Sequence, residues 1–447
     1  MAKFKYLTSK EMYEKLKNLL ALDITFSDKI KSQYFCIYGK SRILAIKVST
    51  TWFVNIDNWS IKSADVLEKL QIKAITPGSY ALNELKLSLR ESRHNYNSLW
   101  PQLKTHLNKI IKSGYNSGLL YAAPGFYDQT MYHYDINSAY AEAFLNAEVP
   151  VGLPEIVPKF IPPDKEHLNL YMMDLNVEYN SQTIFPYLVN SGDVNKMPSQ
   201  VIDNTGMQSL YKVITQTEYL DLKKDYDVID TCLYTVRFKK KSNLFNNFIN
   251  RFYELKESTK DDERMVYKSI LASLAGKLGQ GITRQQIPTE VNAFGHIQYR
   301  TITIPEDDVI YINPAVSLFI VDHVRKKLRD TIKKVGYKNV VLADTDGFIS
   351  KVPINLPLSK KIGEWKLSTY KNIIVNGKRS YFYTTEDGQF HSSISGLGDI
   401  HDDEINVYDF QSIKMLHELK NTIPVIKKVT YCGQDKYVSM NINVGDK

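Results

Sequence analysis

An apolar run ends in two acids around a threonine: Leu342-Ala343-Asp344-Thr345-Asp346-Gly347-Phe348. This tip constrains the fold more than any other feature of the chain. An apolar run of this length closing on a glycine reads as a buried strand entering a hairpin turn. Positions i and i+2 of a strand share a side, so Asp344 and Asp346 are expected to project together, about 6–7 Å apart at the backbone. Two neighbouring carboxylates repel unless a cation neutralises them, and hard divalent ions suit oxygen ligands. By itself the tip is equally explained by a plain acidic turn. It does not fit a calcium-binding EF-hand, which needs a third ligand and a closing glutamate. It does fit the Asp-x-Asp metal motif of a nucleotide-sugar glycosyltransferase.

Two other segments bear on the choice. Tyr134-Asp135-Ile136-Asn137-Ser138-Ala139-Tyr140 puts another acid at the end of a strand, ahead of a helix. Lys268 lies on an amphipathic helix whose buried side is Tyr267, Ile270, Leu271 and Leu274. Arg264, Lys268, Ala272 and Ala275 are expected on the opposite side, a face where a bulky anion can lie. Three carboxylates on strand ends plus a lysine on a helix is equipment for metal-assisted phosphoryl transfer. A glycosyltransferase explains neither Asp135 nor the Lys268 helix.

The 447 residues suffice for several sub-domains with substantial cores. No uncharged apolar stretch reaches the length of a membrane span, and the basic start Met1-Ala2-Lys3-Phe4-Lys5-Tyr6 leads into no signal core. A cytoplasmic protein is expected. Cys36, Cys232 and Cys432 are odd in number and far apart, which argues against a disulfide framework or a cysteine zinc site. A net charge of +8 permits a polyanionic partner without requiring one. The 30 tyrosines are a reservoir of rings that can stack on unpaired bases.

Residues 1–112 read as a mixed segment: a helix from Glu11 to Leu22, strands at Phe35–Tyr38, Ile43–Val48 and Trp52–Ile56, then helices at Leu82–Leu89 and Leu99–Ile111. A strand is expected over Met131–Ile136 and a helix over Asn137–Leu145, broken by Val149-Pro150-Val151-Gly152-Leu153-Pro154. Strands and loops follow to residue 240, and the basic run Arg237-Phe238-Lys239-Lys240-Lys241 reads as a solvated turn. Residues 244–277 read as a helical hairpin, residues 278–312 as polar strands, and Ala315–Val335 as an amphipathic helix. His401-Asp402-Asp403-Glu404 reads as acidic surface.

In this order and spacing the segments resemble motifs A, B and C of family B DNA polymerases, especially the protein-primed branch of phages, viruses and linear plasmids. Asp135-Ile136-Asn137-Ser138-Ala139-Tyr140-Ala141 is similar to Asp-x-x-Ser-Leu-Tyr-Pro. Lys268 through Gly276 is similar to Lys-x-x-x-Asn-Ser-x-Tyr-Gly, and Leu342 through Gly347 to Tyr-x-Asp-Thr-Asp-Ser. Tyr115-Asn116-Ser117-Gly118 resembles the Tyr-x-Gly-Gly loop, and Arg379-Ser380-Tyr381 the Lys-x-Tyr element. The gaps, 133 residues from Asp135 to Lys268 and 76 from Lys268 to Asp344, leave room for the two insertions of the protein-primed branch.

The resemblance implies an α+β right-hand polymerase. Its parts are a degenerate or replaced exonuclease-like N-terminal domain (1–112), a β-sheet palm (113–243 and 278–374), helical-hairpin fingers (244–277) and a small thumb (375–447). It implies that Asp135, Asp344 and Asp346 ligate two Mg²⁺ ions, for which Mn²⁺ can substitute. Lys268, Arg264, Tyr140, Ser138, Ile136 and Asn137 would then bind the nucleotide. Lys378, Arg379, Tyr381, Tyr115, Gly118, Ser273 and Gly276 would line the nucleic acid. The implied partners are a DNA template-primer, dNTPs, a terminal protein primer and a single-stranded DNA-binding protein.

Two departures shape the alternatives. Ala272 and Ala275 replace the asparagine and tyrosine of the second motif, whereas Tyr140, the ring that excludes a ribose 2′-hydroxyl in the family, is kept. No Asp-x-Glu exonuclease signature occurs in the N-terminal segment, so proofreading is not expected. A primase-like or RNA-synthesising enzyme on the same palm, a non-catalytic nucleic-acid-binding relative and an Asp-x-Asp glycosyltransferase remain the alternatives.

Overall fold

The computed structural model describes residues 2–26, 33–38, 43–115, 118–179, 189–190, 200–201, 208–281, 284–305, 309–377, 379–394, 422–431 and 434–443. Lys378, Asn116, Ser117, Cys432 and residues 395–421 of the expected thumb, with His401–Glu404 among them, lie outside them. The chain forms two compact units, one mainly from residues 1–109 and 244–317 and the other mainly from 110–243 and 318–427.

The first unit joins a small sheet to a helical group. Strands Lys3–Leu7, Thr51–Asn55, Ile43–Val48 and Tyr34–Tyr38 lie in that order, and the first pair is parallel. Helix Ser9–Ala21 opens with a complete capping box between Thr8 and Glu11. It buries Met12, Tyr13 and Leu16 against Cys36, Ile43 and Ile46, and the antiparallel ribbon Arg284–Val291/Ile297–Thr303 adds Ile287 and Ile297 to that core.

The helical group holds Pro77–Glu91, Asn246–Ser258 and Asp261–Leu278. Phe248, Ile249 and Phe252 are buried as their helical spacing predicts. Asp262 accepts from the backbone N–H groups of Lys62 and Ser63, at 3.0 and 3.1 Å. At Gly78 a side chain would meet Lys277 Cβ at 3.1 Å, so two helices touch there almost backbone to backbone. The expected Leu99–Ile111 helix is two helices, Tyr96–Leu99 and Thr105–Ser113, because Pro101 cannot continue the first.

The second unit carries two large antiparallel sheets, besides the short ladder Val189–Asn190/Gln200–Val201. The larger has eight strands. Seven run in the order Phe390–Ile394, Ser380–Thr385, Trp365–Gly377, Met131–Ile136, Gly347–Ser350, Val340–Thr345 and Leu119–Ala122. Gly125–Tyr127 pairs beside them on Trp365–Gly377. Residue 375, expected to open a thumb, lies inside a strand of this sheet, which extends to Ile394. The boundary expected at residue 112 falls within helix Thr105–Ser113.

One face of the large sheet buries Met131, Leu342, Ile349, Tyr370 and Ile373. The opposite face stacks Tyr134 on Phe348 at 5.2 Å, with Trp365 edge-on at 5.6 Å. The smaller sheet orders Gln208–Thr215, His167–Tyr179, Tyr226–Lys241 and Val149–Val157 around Tyr171, Met173, Leu175 and Ile214. One sequence reading is extended here and one is corrected: the helix after Asp135 does end before Val149, as expected. The proline-rich segment from Val149 to Pro154 is the edge strand of this sheet, the position that tolerates prolines without a donor N–H. The basic run 237–241 ends the neighbouring strand rather than forming a turn, with Lys240 bonded to Glu148 at 2.7 Å.

Candidate active site

The carboxylates meet through strand register. Asp135 lies opposite Gly347, and Gly347 lies opposite Asp344. Leu120 and Lys366 extend the row at either end. Directly opposed residues of an antiparallel sheet share a face. Asp135 and Asp344 therefore project from the same face, two strand spacings or roughly 9–10 Å apart at the backbone. The residue between them has no side chain. A Cβ on Gly347 would lie 2.9 Å from the Tyr134 carbonyl oxygen, 3.1 Å from Asp135 Oδ1 and 3.4 Å from His133 Nε2. The result is an open cleft of about 400 Å³, lined among others by His133, Asp135, Asp344, Asp346, Arg379 and Tyr381.

The expectation that Asp346 follows Asp344 along a strand is corrected. Asp344 and Gly347 are paired, so Thr345 and Asp346 are the turn itself. Thr345 has φ +60°, and the Asp346 N–H donates to the Asp344 carbonyl at 2.7 Å. This is a three-residue turn of the rare left-handed kind, strained for a β-branched residue. The Asp346 carbonyl accepts from the Ile136 N–H at 3.0 Å, which ties the turn to the end of the Asp135 strand.

Neighbours hold the strained turn in place. Thr345 Oγ1 donates to Asp344 Oδ1 at 2.9 Å. Arg379 donates from Nε to Asp344 Oδ1 at 3.0 Å and from its terminal nitrogen to Thr345 Oγ1 at 3.1 Å. Gly118 packs so close that a Cβ there would lie 2.6 Å from Thr345 Cα. Ser138 and Arg379 also have left-handed backbones, with φ +52° and +58°. Thr345 and Arg379 line the cleft and Ser138 follows Asp135 in the chain, so the site is held against its local backbone preference.

Beyond Asp135 the chain turns at Ser138 into helix Ala139–Asn146, whose N-terminus receives no side-chain cap. Its first N–H groups are available to an anion. The turn is pinned elsewhere: Asn137 N–H donates to the Glu364 carbonyl at 2.9 Å and Gly363 N–H to the Asn137 carbonyl at 2.8 Å. The Asn137 side chain donates to the Ser359 carbonyl. Glu142 bonds His323 and Asn146 and pairs with Lys327 at 3.2 Å. Burial raises its pKa, but these partners outweigh it and bring it down to about 2. Tyr140 is held well above the usual phenol range, first by burial and then by Tyr115 and Asp346. Lys112 Nζ sits over the Tyr115 ring at 4.0 Å.

His133 was not anticipated. It precedes Asp135 by two residues and so shares its face. Its Nδ1 lies 2.7 Å from the Tyr370 hydroxyl. Burial, reinforced by Lys366, lowers its pKa to about 4, against the pull of Asp344. The alternation of the 131–136 strand was the sequence signal that could have found it.

Asp135, Asp344, Asp346, Tyr140, Arg379 and Tyr381 thus belong to one unit. Lys268, Arg264, Ser273 and Gly276 lie on helix Asp261–Leu278 of the other. On that helix Arg264, Lys268 and Ala272 share a face, but Ala275 is buried. Its carbonyl accepts from Ser317 Oγ at 2.8 Å, and Gly276 continues the exposed stripe in its place. The cause is geometric: steps of four keep the exposed face, and a final step of three turns inward. Arg264 donates to the Lys256 carbonyl at 3.0 Å and closes the hairpin, while Lys268 is exposed.

The donor set suits a hard divalent cation. Among the described residues no three acidic, histidine or cysteine side chains converge on one point. Asp135 and Asp344 offer hard oxygen donors, and an ion held by them would take its remaining ligands from water and substrate.

Comparison with known proteins settles the family. The pattern of type B DNA polymerases of organellar and viral origin matches residues 54–316. The chain belongs to that family. The DNA polymerase of Streptococcus phage Cp-1 is 24% identical over 342 residues, covering 72% of this chain and 59% of that protein. That of Bacillus phage Nf is 20% identical over 335 residues, with 72% and 57% covered. The chain thus spans less than two thirds of the curated relatives it matches. In fold it is similar to Phi29 DNA polymerase complexed with single-stranded DNA, with a TM-score of 0.79 at 15% identity over 99% of this chain and 91% of the other. The Phi29 complex with primer-template DNA and incoming nucleotides gives 0.78. These matches bear out the right-hand α+β fold expected of the family B polymerase.

Proposed function

We propose that the chain is a template-directed DNA polymerase that adds dNTPs to a 3′-hydroxyl, with Asp135, Asp344 and Asp346 at the reacting centre. The observation that carries this reading is the register Asp135–Gly347–Asp344 in a chain of this family. The gap over Gly347, between the two acids, leaves room for divalent cations. It suits a pair of Mg²⁺ ions roughly 3.5–4 Å apart. Mn²⁺ would serve in their place. When bound, the ions would activate the attacking hydroxyl and neutralise the departing pyrophosphate.

The protein's own groups do the rest. The uncapped helix start after Ser138, with the backbone of Ile136 and Asn137, would receive the triphosphate. Lys268 would add charge to it from the fingers hairpin, and Arg264 would brace that hairpin. The Tyr140 ring would close the sugar pocket against a 2′-hydroxyl. Tyr115 and Gly118 on one side, Arg379 and Tyr381 on another, and Ser273 and Gly276 on the fingers helix would border the duplex. Lys378, beside Arg379 in sequence, would join them.

Residues 1–112 would serve without proofreading, since no exonuclease signature is present. Residues 113–243 and 278–394 would form the palm, 244–277 the fingers and the residues beyond 394 a thumb. A terminal protein hydroxyl is the proposed primer, with a single-stranded DNA-binding protein as accessory, acting in the cytoplasm of a host cell. Among the described residues no helix is long and apolar enough to cross a membrane.

Primer extension by wild type and Asp344→Asn tests the reading. Extension with dNTPs and not rNTPs, abolished in the variant, is expected. Extension that survives the substitution would defeat the mechanism, and equal use of rNTPs would favour the RNA-synthesising alternative.

A further inference from the structure

Two polar groups on the carboxylate face, Lys366 and His133, have no part in the chemistry above, and His133 is the buried one. The His133 ring lies beside the recess over Gly347, and its Nε2 would be 3.4 Å from a Cβ there, next to Asp135 Oδ1 at 3.1 Å. Its other nitrogen is engaged by the Tyr370 hydroxyl. Among the described residues no second hydrogen bond to the ring is found. Where the phenol donates to Nδ1, the imidazole carries its proton on Nε2, the nitrogen facing the cleft.

The position of His133 along the sheet indicates what this donor meets. Everything suited to a triphosphate follows Asp135 in the chain: the Ser138 turn and the uncapped helix start. His133 lies the other way. Its partner Tyr370 stacks on Tyr383 at 4.1 Å, and Tyr383 lies 5.8 Å from Tyr381. Tyr381 lines the same cleft next to Arg379. The donor thus belongs to the Tyr381 side of the carboxylates, away from the triphosphate side.

We propose that His133 is a primer-binding residue whose Nε2–H donates to a backbone oxygen of the primer-terminal nucleotide. This rests on the polymerase reading above. Tyr370 is then a positioning residue, fixing the tautomer and the plane of the ring.

The test is single-nucleotide extension on a defined primer-template, with the KM for primer-template and for dNTP measured separately. His133→Phe should raise the primer-template KM about tenfold and leave the dNTP KM within twofold. His133→Gln, which restores a side-chain N–H, should recover most of the loss. Tyr370→Phe should give a smaller rise, about threefold, in the primer-template KM alone. A His133→Phe enzyme with wild-type primer-template KM would overturn the proposal. So would a rise confined to the dNTP KM, or a His133→Gln enzyme as impaired as His133→Phe. These failures leave Asp344-dependent extension intact, whereas a wild type that extends no primer would remove the polymerase reading and this proposal together.

Discussion

Arg379 Nε donates to Asp344 Oδ1 at 3.0 Å, so a side chain already compensates the carboxylate expected to face a cation. Both partners are about one third exposed, and such a pair is worth no more than about 1 kcal/mol. A divalent ion can therefore displace it, at a cost of roughly fivefold in affinity at most. Arg379→Ala should lower the half-saturating Mg²⁺ concentration several-fold while slowing extension, because Thr345 loses a partner. Arg379→Lys keeps the charge but cannot make both contacts, and should rescue the metal response better than the rate. A Mg²⁺ titration unchanged in both variants would show that the pair does not compete with the ion.

Gly347→Ala puts a methyl between the two carboxylates. The Tyr134 carbonyl oxygen at 2.9 Å is backbone and cannot yield. The strand must shift, at about 1–3 kcal/mol of stability. Because the shift separates Asp135 from Asp344, extension should fall at least a hundredfold while the thermal transition moves only a few degrees. Near-normal extension would mean that the row tolerates a wider spacing than the register indicates.

Gly118→Ala acts on the turn from the opposite side. Its Cβ would lie 2.6 Å from Thr345 Cα, backbone against backbone. Unfolding free energy should drop by roughly 2–3 kcal/mol, and extension should fall with it. Denaturant titration beside an activity assay checks both, and a variant as stable as wild type would place the loop elsewhere.

The acid limb of stability should carry the signature of Glu142. Its folded pKa of about 2 lies below its unfolded value, so ionised Glu142 stabilises the native state. The contribution is complete above about pH 4.5 and is lost as pH falls towards 2. Glu142→Gln should destabilise the protein at pH 7, by roughly 1–3 kcal/mol, and flatten the stability curve between pH 4.5 and 2. An unchanged acid limb would mean that His323 and Lys327 do not hold the carboxylate in solution.

The sequence carried the acids and their order, because apolar strands ending in aspartate are visible one segment at a time. It also carried the helix faces around Phe248 and Ile270, where the period of 3.6 is clean. What it did not carry was the partner of each strand. That Gly347 would lie between Asp135 and Asp344 depends on which strands pair and in which register, information spread over more than two hundred residues. The same limit hid the Arg379–Asp344 contact and the Tyr370–His133 bond. The Asp346 error had a local cause: alternation was extended one residue too far, into a turn whose geometry a threonine does not advertise.

The register that joins Asp135 to Asp344 also has a kinetic side. Each acid arrives on a strand that is inert until the other docks, and the loop closed by that docking is about half the chain. Loops of such length close late, after local helices and hairpins have formed. Nascent chains released before the second acid would hold a well-formed first half with no competence. Chemistry would switch on at a single late step, when the 347–350 strand slots beside its distant partner.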